Sequence, residues 1–441
     1  MKNNIYLVLL FVLSMGAAQA QEFKKIIHPQ NPALKADFQV LNSGDVDFAD
    51  VDGDGDQDVL ITGQLHYSVD KNYSILYKND GDGNFEPFFD DFIEVGYGSS
   101  DFADVDGDGD LDVVISGSTK AQNLQTKLYL NDGTGFFTEK ADALFAGIIR
   151  GQVLFNDVDN DGDQDLLLTG MMSFPDQVTK LYKNDGLGGF TEVTTNLEQL
   201  NRSSIVAGDV NNDGYDDVVL VGAIGSGSTV VSPKLYLNDG AGAYEAPIAL
   251  TNSEIRKGVL RMADVDGDGD LDILASGESG GSSLVFYTFF NENGTFTQGS
   301  TTITGITNFE ISDIDNDGDV DVIVLGKTGV YKNDGTGQFV LDPTNSFTSL
   351  KDGAVAVADV NGDGLKDFLL MGRDGVITYT SLFINQPGTI LAEVTDNYFP
   401  GLQLGDVELV DVDNDGDQDI IAAGQSNTDA FGYVFKVYKN D

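Results

Sequence analysis

An acidic nine-residue pattern, D-x-[DN]-x-D-G-x-x-D, carries the side chains of this sequence that are best suited to chemistry. Its eight copies begin at Asp50, Asp104, Asp157, Asp209, Asp264, Asp313, Asp359 and Asp411. In each copy, alternate residues carry oxygen donors and a glycine permits a sharp bend. Hard oxygen ligands in a flexible loop suit Ca²⁺, which takes about six to eight of them. The pattern therefore predicts about eight calcium sites.

Within each loop, positions one, three, five and nine are expected to supply side-chain oxygens. Position seven is expected to supply its backbone carbonyl, so its side chain is free to vary, as Tyr215 and Leu365 do. Asn211 and Asn361 keep an oxygen donor at position three. The predicted ligand sets, in chain order, are Asp50, Asp52, Asp54, Asp56 and Asp58; Asp104, Asp106, Asp108, Asp110 and Asp112; Asp157, Asp159, Asp161, Asp163 and Asp165; Asp209, Asn211, Asp213, Tyr215 and Asp217; Asp264, Asp266, Asp268, Asp270 and Asp272; Asp313, Asp315, Asp317, Asp319 and Asp321; Asp359, Asn361, Asp363, Leu365 and Asp367; and Asp411, Asp413, Asp415, Asp417 and Asp419.

Two other kinds of metal site, an EF-hand and a Mg²⁺ site, fit the loop less well. An EF-hand needs a Glu at position twelve and flanking helices, whereas position twelve here is an apolar residue such as Ile61 or Ile115. Mg²⁺ sheds its water reluctantly and suits an all-protein cage less well. An acidic turn without any metal remains the alternative.

The charge of the chain is concentrated in these loops. There are 72 acidic and 24 basic residues, and the eight windows hold 37 of the 72. Such a charge strains a compact fold and repels nucleic acid, so a nucleic-acid partner is not expected. A hydrophobic content of 41% argues against a disordered acidic chain. We expect bound cations to offset the repulsion and to couple metal binding to folding.

The eight copies are one structural repeat, with spacings of 46 to 55 residues. Each acidic loop lies between two short apolar segments, followed by a Leu-Tyr segment and an Asn-Asp-Gly turn, as in residues 76–85. Four short strands per repeat predict an all-β fold, a β-propeller of four-stranded blades. Below, the strands of a blade are called A to D, and the acidic loop joins A to B.

Eight blades are favoured by the ends of the chain. The last copy stops within the strand C motif, at residues 438–441, and the segment after Gln21 resembles the start of an orphan strand D. We expect Phe23 onward to complete the last blade by strand exchange, which leaves no open sheet edge. Seven blades with an extra unit, or a chain that continues past Asp441, are the alternatives.

Residues 1–20 are predicted to be a signal peptide, and 21–441 a single β-propeller domain with eight repeats. Lys2, a short apolar run and Ala18-Gln19-Ala20 form the pattern of a cleaved secretory leader. The expected location is therefore secreted or at the cell surface, without a membrane-spanning segment. An uncleaved membrane anchor is the alternative.

The loop, the apolar strand that follows it and the N-D-G-x-G-x-F hairpin resemble the FG-GAP/VCBS repeats. Those repeats form calcium-binding propellers in integrin α-subunits and in secreted bacterial proteins. The resemblance implies Ca²⁺ at the eight loops. It leaves function open, because the family includes adhesins, lectins and polysaccharide-degrading enzymes. Seven blades are familiar in the integrin-type members, so a count of eight is a departure.

The loops on the face opposite the calcium loops vary in length and composition, which favours that face for recognition. Seven residues before each first Asp, at what we call the rim position, lie Tyr97, Arg150, Arg202 and Lys257 in four consecutive copies. Arg261 follows four residues after Lys257. These five residues, here called the basic arc, are predicted to bind an anionic group such as a uronate, a sulfate or a peptide carboxylate. Local charge balancing is the alternative.

Catalytic residues are scarce, and catalysis is not expected. The chain has no Cys, and its two histidines are His28 and His66. The predicted function is an extracellular binding or adhesion module for an anionic glycan or protein ligand. One alternative is a polysaccharide lyase with Tyr97 or His66 as base and Arg150 or Arg202 neutralising a uronate. A purely structural module of a surface assembly is the other, and the sequence leaves the oligomeric state open.

Overall fold

A computed structural model of the protein describes residues 23–25, 45–64, 72–88, 91–173, 175–225, 229–251, 254–279, 283–300, 303–327, 329–343, 347–386, 392–394, 399–426 and 433–440. The predicted signal peptide, His28, His66 and Ser43 lie outside these residues. None of the described residues forms a helix long and apolar enough to cross a membrane.

Thirty-three strands make up the described structure, and they group into eight four-stranded units. β1 is Phe23–Lys25. Blade one contains β2 (Val46–Ala49), β3 (Asp58–Gln64), β4 (Asn72–Asn79) and β5 (Phe85–Phe88). Blade two contains β6 (Val95–Ala103), β7 (Asp112–Thr119), β8 (Leu124–Asn131) and β9 (Phe137–Glu139). Blade three contains β10 (Ile149–Asn156), β11 (Asp165–Ser173), β12 (Asp176–Lys183) and β13 (Thr191–Val193).

The next three blades follow the same order. Blade four contains β14 (Asn201–Gly208), β15 (Asp217–Ile224), β16 (Thr229–Val230), β17 (Lys234–Tyr236) and β18 (Ile248–Ala249), with β16 as an additional short strand on β15. Blade five contains β19 (Arg256–Ala263), β20 (Asp272–Glu278), β21 (Leu284–Glu292) and β22 (Thr295–Gln298). Blade six contains β23 (Asn308–Ser312), β24 (Asp321–Leu325), β25 (Gly329–Lys332) and β26 (Val340–Leu341).

Blade seven contains β27 (Val355–Ala358), β28 (Asp367–Asp374), β29 (Ile377–Ile384) and β30 (Ala392–Glu393). Blade eight contains β31 (Leu402–Val410), β32 (Asp419–Ser426) and β33 (Tyr433–Asn440). Its fourth strand is β1, which pairs antiparallel with β33 in the register Phe23 to Asn440. A single pair, Tyr379 with Leu402, links the sheets of blades seven and eight.

Apolar side chains on both faces of strand B build the core. In blade one, Val59, Leu60 and Ile61 are all buried. Alternate side chains of a strand point to opposite faces, so each blade packs against both neighbours. Eight apolar clusters result, one at each junction between consecutive blades, and the last joins Val59 and Ile61 of blade one to Val412 and Ile421 of blade eight.

One Asn in every blade forms the same side-chain hydrogen bond, which joins that blade to the one before it. The Asn that ends or follows strand C donates its side-chain N–H to the backbone carbonyl at position two of the preceding blade's acidic loop, over 2.5 to 2.7 Å. The donors are Asn79, Asn131, Asn184, Asn238, Asn291, Asn333, Asn385 and Asn440. Asn79 of blade one bonds to Val412 of blade eight, so the set runs around a closed ring.

The predicted all-β propeller of four-stranded blades is confirmed, with eight blades closed by the N-terminal strand. The Asn is kept even where the Asn-Asp-Gly turn of the repeat is altered, because the bond needs only an amide at that point. In blade five Asn291 bonds to Val210 although the following residues are Glu292 and Asn293. The A–B loops and the C–D turns lie at the same end of each blade, as the up-and-down strand order predicts.

Removing one of these amides should destabilise the ring measurably. In Asn238→Ala, the carbonyls of Val158 and Asp216 lose their partner in a buried setting. We expect a loss of about 1–3 kcal/mol in the free energy of unfolding, measured by urea denaturation with saturating Ca²⁺. The control is Asn123→Ala, in an exposed hairpin. Equal effects of the two substitutions would contradict the fastening role.

Candidate metal loops and ligand-binding face

The first Asp of each loop organises the backbone around itself. The Asp50 carboxylate accepts backbone N–H groups from Gly53 at 2.8 Å and from Gly55 at 2.9 Å. Asp104 and Asp264 accept the equivalent bonds in their own loops. These turns draw the loop into an arc, so that alternate carboxylates approach one another.

Position four takes a left-handed backbone in every copy, which explains why it is always Gly or Asn. Its φ lies between 54° and 77° in the eight loops. Glycine and asparagine adopt this region at the least steric cost. Where the residue is Asn, its amide also bonds to the next loop around the ring. These bonds run from Asn160 to Gly214, from Asn212 to Asp270, from Asn316 to Gly364, and from Asn414 to Gly55 and Asp56.

The Asp at position nine is at most 1% exposed in all eight loops. In blade one, Asp58 accepts the N–H of Val51 at 3.1 Å on one oxygen and the N–H of Asn79 at 2.7 Å on the other. Burial raises the pKa of Asp58 to about 6 and that of Asp112 to about 7, although their backbone hydrogen bonds oppose the shift. An ionised carboxylate in this setting is favoured by a nearby cation.

Position three offers the clearest observation in favour of a metal. One carboxylate oxygen, Oδ1, is buried without a hydrogen-bond partner in five of the eight loops. Leaving such an atom unpaired is costly, and a cation would satisfy it. These residues are Asp52, Asp106, Asp159, Asp266 and Asp413.

The oxygens of several positions already converge. In blade one, ligand atoms of Asp50, Asp52 and Asp58 lie within 4.8 Å of one another. The same holds for positions one, three and nine in blades three, five and six, and for positions one, three and five in blade two. The donors are all oxygens, which fits a hard cation. These loops can therefore hold metal ions.

In four blades a lysine of strand C holds the other oxygen of the position-three carboxylate. Lys78 pairs with Asp52 at 3.0 Å and Lys183 with Asp159 at 2.6 Å. Lys183 also donates to the carbonyl of Ala241 in the next blade, at 3.0 Å. The lysine thus fixes the carboxylate and leaves Oδ1 directed into the loop.

The side chain at position seven faces away from this cluster. A methyl group added at Gly81 would approach Asp56 Oδ2 to 2.5 Å, so Asp56 lies directly against the Asn-Asp-Gly turn of its own blade. Tyr215 occupies the same place against Gly240 in blade four. The side chain there is set by the turn, in keeping with the variation between copies.

On the opposite face, the rim position is a β-bulge. In blade two the strand A to strand B register shifts between Gly96 and Ser99, so Tyr97 and Gly98 together face Gly117. A methyl group at Gly98 would lie 1.8 Å from the Ser116 carbonyl oxygen, which is why glycine follows the rim residue Tyr97. Bulges re-aim side chains, and here they turn the rim residue out of the sheet.

The rim residues of five blades have a left-handed backbone although none is glycine. They are Tyr97, Arg150, Arg202, Lys257 and Asp352, with φ between 48° and 59°. Such conformations cost about 1–2 kcal/mol each for residues of this kind and cluster at functional sites. Ile306, the rim residue of blade six, is instead buried in the core.

The five residues of the basic arc differ in the partners that they have in the structure. Lys257 pairs with Glu278 at 3.0 Å. Arg261 points into the centre of the ring, where it forms a bidentate pair with Glu310 at 2.6 to 3.2 Å. Within the described residues, Arg150 and Arg202 have no carboxylate partner, and the Arg150 guanidinium lies 5.8 Å from the Tyr97 ring centroid.

The innermost strands also carry a group of carboxylates that the sequence analysis did not single out. Asp45, Asp47 and Asp101 line a cavity of about 380 Å³, and Asp406 and Glu408 line a second of about 510 Å³ with Arg261 and Glu310. They lie three and five residues before the first Asp of their loops, a spacing that could have revealed them. Desolvation raises the pKa of Asp101 to about 6 and that of Glu408 to about 7.

Fold and loops together define a β-propeller whose blades carry acidic loops able to hold metal ions. A family model for the FG-GAP-like repeat matches six overlapping segments, 50–115, 104–168, 157–220, 209–275, 264–324 and 313–370. These segments span most of the chain, which therefore belongs to the FG-GAP-like repeat family.

Similar solved structures have low identity and low TM-scores. The Vibrio cholerae biofilm matrix protein Bap1 is 10% identical with a TM-score of 0.41, over 95% of this chain and 91% of that one. Trypanosoma rangeli sialidase is 10% identical with a TM-score of 0.38, over 77% and 59%. Fructofuranosidase from Schwanniomyces occidentalis is 9% identical with a TM-score of 0.32, over 96% of both chains. A comparison with curated protein sequences gives no match.

From the raised pKa values of the central carboxylates we predict that the stability of the folded protein falls as pH rises. The pKa of Glu408 is raised by desolvation and by Asp406 and Glu310, while Arg261 opposes the shift. A carboxyl with a raised folded-state pKa favours folding when protonated, and this contribution is lost as pH rises through about 6 to 7. We expect a lower melting temperature at about pH 8 than at about pH 5, with Ca²⁺ saturating at both.

Glu408→Gln should flatten that pH dependence, since it removes a carboxyl of the second cavity whose pKa is raised to about 7. Glu86→Gln, on the exposed strand D of blade one, is the matched control and should leave the slope unchanged. Identical slopes for all three proteins would show that the central carboxylates do not set the pH dependence.

Proposed function

We propose that this protein is a secreted, calcium-loaded binding module, and that the face opposite the metal loops recognises an anionic ligand. One observation carries the proposal. In a protein with a net charge of −48, Arg150 and Arg202 stand at equivalent bulges, in left-handed backbone conformations, without a carboxylate partner among the described residues. Basic residues are scarce in this chain. If these two arginines served only to balance charge, we would expect them to form ion pairs.

Calcium is the metal that the loops suit best. The donors are carboxylates, amides and carbonyls in a flexible arc, and Ca²⁺ accepts about six to eight such oxygens. Positions one, three, five and nine would hold it with side chains, and position seven with its carbonyl. The bound ion supplies positive charge to the unpartnered Oδ1 atoms and fixes the loop that begins strand B.

The proposed extracellular location agrees with the same chemistry. Open surface loops of this kind suit compartments with abundant Ca²⁺, where dissociation constants of about 10⁻⁴ to 10⁻³ M are sufficient. The leader-like segment at residues 1–20 agrees with export. The fold then acts as a rigid ring that presents the rim residues at fixed positions.

The binding test compares wild type with the double variant Arg150→Gln, Arg202→Gln on arrays of acidic glycans and of anionic proteins, with Ca²⁺ present. Glutamine removes the charge but keeps a polar side chain with the same aliphatic stem, and Gln122 shows that glutamine accepts a left-handed backbone in this protein. We expect anionic ligands to bind the wild type and to lose about tenfold or more in affinity on the double variant.

The matched control removes the same charge elsewhere. Lys127→Gln, Lys180→Gln changes two lysines paired with Glu139 and Glu192 on the outer strands. Exposed pairs of this kind contribute little stability. If both double variants bind as wild type does, or lose affinity equally, the rim arginines do not form the binding site.

Removing calcium should destabilise the protein strongly. A ligand present at about a hundredfold excess over its dissociation constant stabilises the folded state by about 2.7 kcal/mol per site. With several sites emptied, we expect excess EGTA to lower the melting temperature by on the order of 10 °C. EGTA saturated beforehand with Ca²⁺ is the control, and Mg²⁺ should not restore stability. An unchanged melting temperature in EGTA would refute calcium loading.

A further inference from the structure

A cavity of about 400 Å³ opens on the variable face, next to Tyr97 and Arg150. It lies across strands of blades one, two and three, and its volume is within the range of small-molecule sites, about 300–1,000 Å³. It is separate from the metal loops, which are at the other end of the blades. The question is which ligand its walls would accept.

Three strained residues converge on this cavity. Tyr97, Gln122 and Arg150 have φ of 59°, 61° and 54°. Among the described residues, only five with left-handed φ are neither Gly, Asn nor Asp, and three of those five line this one cavity. Strain of this kind persists where the surrounding structure enforces it, and it concentrates at ligand sites.

Arg150 supplies the cavity with a positive charge that nothing described neutralises. Arg256 and Arg373 differ in this respect, since Arg256 pairs with Glu278 and Arg373 with Asp352. Arg202 is also without a carboxylate partner among the described residues, but it does not line this cavity. The Tyr97 ring beside the guanidinium holds it in place without cancelling its charge. A carboxylate is the partner that a fixed, planar guanidinium accepts best.

The inner part of the cavity is polar and ordered. Gln64 and Asn72 are each only 4% exposed, and Gln64 donates to Asn72 at 3.3 Å. Asn72 in turn donates to the Ser118 carbonyl at 2.6 Å. These amides, with the hydroxyls of Ser118 and Thr119, offer both donors and acceptors at the cavity wall.

The opposite wall is apolar. Met171 and Met172 line it together with Ile149, and Met172 is 41% exposed although it is a large apolar side chain. Thioether side chains adapt to irregular ligand surfaces. The cavity therefore combines one cation, several hydrogen-bonding groups and one flat apolar side.

From these walls we infer that the cavity binds one acidic pyranose unit of an extracellular glycan. The sugar carboxylate pairs with Arg150, its hydroxyls bond to the amides and hydroxyls of the inner wall, and its C–H face lies on Met172. A peptide carboxyl terminus would use Arg150 but would bring fewer hydroxyl groups to the amides and hydroxyls of the inner wall. This inference rests on the proposed function and specifies its ligand class.

The test measures binding of D-glucuronate and D-galacturonate by calorimetry and saturation-transfer NMR, with Ca²⁺ present. Glucose, galactose and a short peptide with a free carboxyl terminus are the comparison ligands. We expect a uronate to bind wild type at least about tenfold more tightly than its neutral parent. Arg150→Gln should abolish that preference, and Met172→Gln should weaken uronate and neutral sugar together.

Lys120→Gln is the matched control, because it removes the same charge from the hairpin beside the cavity. Each variant is accepted only if its melting temperature in Ca²⁺ equals that of wild type. Uronate binding that is lost in Arg150→Gln and kept in Lys120→Gln supports the inference.

The outcomes separate this inference from the proposed function. If acidic ligands bind and depend on Arg202 but not on Arg150 or Met172, the cavity is not the subsite and the binding face stands. If the peptide binds in preference to both uronates, the ligand class is wrong and the binding face again stands. If no anionic ligand binds wild type, both proposals fail.

Discussion

The buried carboxylate at position nine of each loop is the interaction on which the rest of the structure depends. In blade one, Asp58 holds the start of the loop through Val51 and the end of strand C through Asn79. The Asn79 amide then reaches Val412 in the preceding blade. A carboxylate that is buried this completely depends on its hydrogen-bond partners, so the same Asp and Asn recur in every blade around the ring. Each blade is thereby fixed to its neighbour by the same group that shapes its metal loop.

This arrangement divides the molecule into two faces with different freedom. On the metal-loop face, carboxylates at positions one, three and nine converge and leave buried oxygens without partners, so a cation held there would stabilise the fold. Substitutions there disturb both. On the other face, the loops carry no such constraint and differ between blades. Recognition can therefore develop on that face without loss of the fold.

The β-bulge at the rim position links the common scaffold of the blades to the variable side chains on the face opposite the metal loops. In blades two, three, five and seven a glycine follows the rim residue (Gly98, Gly151, Gly258 and Gly353) and lies close to the backbone of strand B, and the rim residue before it has a left-handed backbone. Arg202 has the same backbone conformation although Ser203 follows it. The blades thus share the backbone conformation at the rim, while the side chains that it presents differ.

Local patterns in the sequence determined the acidic loops, the four strands of each blade and the repeat count, because each follows from short-range spacing. The exchange of the N-terminal strand was also expected, although it pairs Phe23 with Asn440 at the far end of the chain. The identity of position four as Gly or Asn also follows from local backbone geometry. Only the tertiary structure decided which charges are paired. Arg261 and Arg150 were both assigned to the basic arc from the sequence, yet Arg261 binds Glu310, whereas Arg150 lies over Tyr97. The cavity beside Met172, the central carboxylates and the Asn bonds between blades arise from residues about 50 to 360 positions apart. Packing between blades brings them together, and no local pattern encodes that proximity.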